Sequence, residues 1–146
     1  MGKHDRLIVR EPKVVCVDYH PVDNVKGVTF PDEIWLDNTI VKNSPVVVDI
    51  GWRFEVPEPD PVEWEHSHEF DEVLCFIGTD PENPRDLGGE IEFHIDGEVH
   101  VFDTTTVIFL PKGLPHCPFV HKRVDRPFLL VVFALDGRYP EATKEL

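Results

Sequence analysis

WEHSHEFDE, residues 64–72, is the stretch on which the reading of this chain turns. Two histidines flank one serine, and Glu65, Glu69, Asp71 and Glu72 crowd around them. On a β-strand, His66 and His68 point to the same side, roughly 6.6 Å apart along the chain. Glu72 keeps their parity. Two imidazoles and one carboxylate on one side make the 2-His-1-carboxylate donor set, which leaves coordination positions open. One straight strand is too long to bring all three to a single ion, so a bend or bulge is expected at residues 69–71. Glu65, Glu69 and Asp71 have the other parity. They read as solvated rim or subunit-contact charges, with Asp71 open to redirection by the bend.

Outward from this stretch, short apolar runs alternate with turns. Residues 46–54 read as a half-buried strand, with Val46, Val48, Ile50, Trp52 and Phe54 on the apolar face and Arg53 on the other. Three prolines in residues 56–63 make a rigid rim loop or linker. Residues 73–77 and 126–135 are apolar on both faces and read as strands covered on both sides. Residues 79–89 read as a long polar turn, and residues 90–102 as a hairpin about Asp96-Gly97. Residues 104–116 read as a strand running into a Pro/Gly corner. Residues 14–19 have the pattern of a short strand, residues 34–41 are ambiguous, and the tail is polar. The class expected is all-β, a sandwich or barrel. Residues 1–33 form an N-terminal extension and residues 34–146 the barrel domain.

The corner PKGLPH, residues 111–116, delivers His116. Gly113 permits a positive φ, and Pro111 and Pro115 stiffen the flanks. His66-x-His68-x₃-Glu72 followed by Pro111-x-Gly113-x₂-His116 resembles the two signature motifs of the cupin superfamily, and the likeness spans about residues 46–135. The resemblance implies a double-stranded β-helix, a jelly-roll barrel. It also implies a 3-His-1-Glu metal set of His66, His68, Glu72 and His116. Three nitrogens and one oxygen suit one divalent ion, Fe(II) or Mn(II) first, with Ni(II) or Zn(II) as alternatives. The chain departs from the family pattern at turn and packing positions. Asp60 and Thr105 stand where the family often has Gly, Gly78 closes the first motif one residue early, and Val120 replaces a frequent Asn.

The formal net charge over 146 residues is −14, which argues against nucleic acid because phosphate binding needs clustered Lys and Arg. It argues equally against an anionic membrane surface, and no stretch approaches the length of a membrane span. The three cysteines, Cys16, Cys75 and Cys117, are odd in number and widely spaced, so a reducing cytoplasm is expected rather than a disulfide framework.

The remaining candidates have plainer expectations. His94 and His100 read as ordinary strand residues and His121 as exposed. Cys75 and Cys117 read as small packing groups. Arg53, Arg123 and Arg126 are the candidates for gripping an anionic substrate, and Arg53 stands out because it sits mid-strand among apolar residues. Phe70, Phe76, Phe109 and Phe119 read as core. The function expected is that of a metal-dependent cupin enzyme. A small carboxylate, enol or diketone would be chelated to the ion, with dioxygenase-like, decarboxylase or isomerase chemistry. A non-catalytic metal- or small-molecule-binding module and a sugar or sugar-phosphate isomerase are the alternatives. The expected partners are a small-molecule substrate and a second copy, in a homodimer.

Overall fold

Period-two alternation becomes two antiparallel sheets that close on one core. The computed structural model describes residues 2–11, 26–28, 34–138 and 143–145. Its strands are β1 (Lys26–Val28), β2 (Ile34–Leu36), β3 (Val47–Glu58), β4 (His66–His68), β5 (Glu72–Ile77), β6 (Asp86–Ile95), β7 (Glu98–Thr104), β8 (Thr106–Leu110), β9 (His116–Val124), β10 (Phe128–Ala134) and β11 (Thr143–Glu145). One sheet runs β1-β3-β10-β5-β8 with β2 beside β3, and the other runs β11-β4-β9-β6-β7. Among the described residues, helix is confined to a 3-10 turn at Asp5–Leu7. No described helix is long and apolar enough to cross a membrane. This is the all-β jelly-roll architecture of a double-stranded β-helix.

The inward side chains of both sheets form the core. Phe76, Phe93, Phe119 and Phe128 are fully buried with Leu87, Ile91 and Leu110. Phe93 and Phe119 stack at 5.9 Å, and Phe76 meets both edge-on. Burial of such rings is the largest single source of stability in a small β-barrel. The hairpin between β6 and β7 turns on Asp96 (φ 49°) and Gly97 (φ 78°), the paired left-handed residues of a tight turn.

Several elements differ from the sequence reading. In β3 the buried side chains are Val47, Arg53 and Pro57, beside Gly51, whereas Phe54 is exposed. The apolar set at Val48, Ile50, Trp52 and Phe54 therefore faces out. Binary pattern identified the strand but pointed to the wrong face for the core: the apolar face packs outward, and the face that carries Arg53 turns into the barrel. The polar turn at 79–89 is shorter than expected, since β6 begins at Asp86. Residues 116–124 and 143–145, which carried no strand expectation, form β9 and β11. The N-terminal extension supplies β1, which pairs with β3 through Lys26↔Glu58 and Val28↔Arg53. The strand expected at 14–19 lies outside the described residues.

The outward face of the first sheet is apolar from strand to strand. One row of Cα partners runs Ile34, Ile50, Val131, Cys75, Val107. The next runs Leu36, Val48, Phe133, Val73, Phe109. Neither row contains a charge. β5 and β10, expected to be covered on both faces, are half-buried on the outward one; inward, β5 is buried throughout and β10 at Phe128, Leu130 and Ala134.

Candidate metal centre

The chain leaves one sheet at His68 and enters the other at Glu72. That break is the bend the donor spacing requires. Two bonds tie it to the Pro/Gly corner: Lys112 N–H donates to Asp71 Oδ1 at 2.8 Å, and Gly113 N–H to the His68 carbonyl at 2.9 Å. Asp71 is thus turned by the bend into a structural acceptor. His116 opens β9 directly opposite His66. The three imidazole centroids lie 4.5, 4.7 and 5.0 Å apart. His66 Nδ1 bonds to the Trp64 carbonyl at 2.6 Å and His116 Nδ1 to the Leu114 carbonyl at 2.9 Å. A carbonyl only accepts, so each bond puts the proton on Nδ1 and leaves Nε2 as the ligand atom. Phe70, buried, stacks on His68 at 4.5 Å and fixes that ring's plane.

Ligand atoms of His68, Glu72 and His116 all lie within 4.8 Å of one another, on side chains that are buried. Glu72 Oε2 is 2.5 Å from His68 Nε2 and 3.9 Å from His116 Nε2. Glu72 Oε2 and His116 Nε2 complete no hydrogen bond among the described residues. Burial, with the His66 charge adding to it, pulls His68 down to about 3. Burial also lowers His116, against the pull of Glu72, and pushes Glu72 up to about 7, against the pull of His116. Each group is held away from its charged form, and their lone pairs converge. A divalent cation satisfies all three at once, so this donor set fits a metal. His66 does not close into the same group. Its ligand atom clusters instead with those of His116 and Cys117.

Five further side chains belong to this region. Arg53 is buried, on the inward face of β3, opposite to the parity expected. His121, expected to be exposed, is also buried. Its backbone N–H and its Nδ1 meet the two Asp60 oxygens at 2.8 and 3.0 Å. Burial lowers His121 first, while the Asp60 hydrogen bond raises it and the Arg53 charge lowers it. Glu63 acts electrostatically on His68, Glu72, Cys117 and His121. The Cys117 thiol donates to Glu63 Oε2 at 3.5 Å. Burial pushes that thiol well above its ordinary value, and the Glu63 and Glu72 charges add to the rise. Asp60 and Glu63 come from the proline-rich loop that sequence reading took for a rim. Their signal was two acids in a stiff segment directly before the histidine pair.

The other candidates lie elsewhere. Arg126 pairs with Asp86 at 2.7 Å, and Arg123 with Asp125, both at the surface. His94 bonds Glu92 at 3.0 Å, and His100 is exposed on β7. Phe76 and Phe119 are core, whereas Phe109 is exposed.

No family model and no curated protein matches the sequence. Among solved structures, an oxalate oxidase superposes with a TM-score of 0.54 at 14% identity, covering 99% of this chain and 66% of its own. A conserved protein with a double-stranded β-helix domain from Klebsiella pneumoniae gives 0.49 at 17% identity, covering 93% of this chain and 100% of its own. A DMSP lyase from Ruegeria pomeroyi gives 0.40 at 22% identity, over 68% of this chain and 42% of its own. At such identities the likeness is one of fold.

Proposed function

From a chain with the cupin fold, we propose a metal-dependent enzyme acting on a small oxygenated anion held against Fe(II) or Mn(II). The observation that carries the proposal is the buried convergence of His68, Glu72 and His116, with His66 beside them. When bound, the ion supplies Lewis acidity, or a site for O₂, at the substrate's donor oxygens. The protein's own residues do the rest. The Nδ1–H bonds of His66 and His116 aim their Nε2 atoms inward. The Phe cluster beyond them excludes water and strengthens every charge interaction in the interior. Arg53, a buried guanidinium on the barrel wall, supplies positive charge and a planar fork for a carboxylate. Glu63 is placed to take or return a proton near the metal ligands. Two chelating oxygens and a carboxylate-matching cation favour dicarboxylates and keto acids, and oxalate is the first substrate to test.

The test begins with elemental analysis of untagged protein beside a His68→Ala variant. Near-stoichiometric iron or manganese in the wild type, lost in the variant, is the expected result. Loaded wild type should then bind oxalate, and Arg53→Met should keep the metal while losing the oxalate. A wild type that takes up no metal even on reconstitution would sink the proposal.

A further inference from the structure

We propose that the Cys117 thiolate is a metal ligand, and that with His66 and His116 it forms a second, softer position that selects zinc. This inference rests on the metal reading above and adds to it. Adjacent strand residues normally point to opposite faces, yet His116 and Cys117 are both buried toward the interior. The cause is local: Cys117 has φ 70°, a left-handed conformation that costs a non-glycine residue of order 1–3 kcal/mol. The side chain also packs in the hydrophobic core. What the turn achieves is to bring Sγ within 4.8 Å of the ligand nitrogens of His66 and His116.

His116 Nε2 is buried and has no hydrogen-bond partner among the described residues, so the group converges on an unsatisfied donor atom. Two imidazoles and a thiolate are the donors that borderline and soft ions prefer, and they leave a fourth tetrahedral position open. A bound cation deprotonates a coordinating thiol outright. The balance is simple: the S–H bond breaks, the S–metal bond forms, and the proton passes to the Glu63 carboxylate that already accepts from Sγ. Because His116 serves both groups, the two positions exclude each other. An ion at His68–Glu72–His116 and a zinc at His66–His116–Cys117 therefore compete.

The test is X-ray absorption of zinc bound to the Cys16→Ser/Cys75→Ser protein, in which Cys117 is the one thiol left of three. This leaves the buried Cys117 unmutated, so folding is not at issue. A sulfur scatterer at about 2.3 Å with nitrogen at about 2.0 Å is expected. Cobalt(II) in the same protein should show a sulfur-to-metal charge-transfer band that Cys117→Ser abolishes. Bound zinc with only nitrogen and oxygen neighbours would overturn this proposal and leave the metal centre standing. A protein that binds neither zinc nor manganese would overturn both.

Discussion

Protein stripped of metal is expected to lose stability as the pH falls below 6.5, most steeply below 4.5. His68 is the main cause. The unfolded chain protonates it near 6.5, while burial holds the folded group near 3. A lowered folded value means that its stabilisation is complete above 6.5 and disappears between 6.5 and 3, worth about 5 kcal/mol. His116 and His121 are lowered by burial as well and add loss of the same sign. Glu72 works the other way. Its folded value is raised from 4.5 to about 7, so the folded state takes up that proton first and regains about 3 kcal/mol as the pH falls through this window. The two partly offset down to 4.5, and below that only losses remain. Urea midpoints across the range measure the profile. Glu72→Gln should remove the offset, so that the decline starts at 6.5. A midpoint unchanged down to pH 4 would show that the histidines are not buried as described.

Asp60→Ala is expected to destabilise the fold by about 2–4 kcal/mol, far more than a loop substitution at the surface. Two donors depend on this side chain, the backbone N–H and Nδ1 of His121, and neither has water to turn to. Each buried donor left without its acceptor costs about 1–3 kcal/mol. The effect should be absent where the donor ring is also removed. In the His121→Phe background, Asp60→Ala should cost only the share due to the backbone N–H, because an apolar ring between Phe119 and Phe128 has no proton to place. Thermal unfolding of the four proteins of this cycle gives the coupling. Equal costs in the two backgrounds would mean that Asp60 holds the loop by some other contact.

The donor residues were legible because their spacing has meaning on any strand. His66, His68 and Glu72 share a parity, and the break they require falls between β4 and β5. The Asp96-Gly97 turn was legible for the same reason: left-handed backbone geometry selects those residue types whatever surrounds them. The inward placement of Arg53, His121 and Cys117 was not legible, each for a different physical reason. β3 carries its apolar residues on one face, and that face is the outer one, so period two pointed to the wrong side. His121 sits among Lys122 and Arg123, and only Asp60, 61 positions away, makes its burial tolerable. Cys117 breaks the parity rule itself, through a left-handed residue that no local pattern announces.

By itself, then, the sequence determined the all-β class, the Asp96-Gly97 turn and the shared parity of His66, His68 and Glu72, since these follow from periodicity and chemistry within a few positions. Only the tertiary structure decided which face of each strand meets the core. It also decided which distant acid satisfies a buried base, and that the donors form two overlapping groups around His116. Those depend on how two sheets close over one another, a long-range contact that local alternation does not encode.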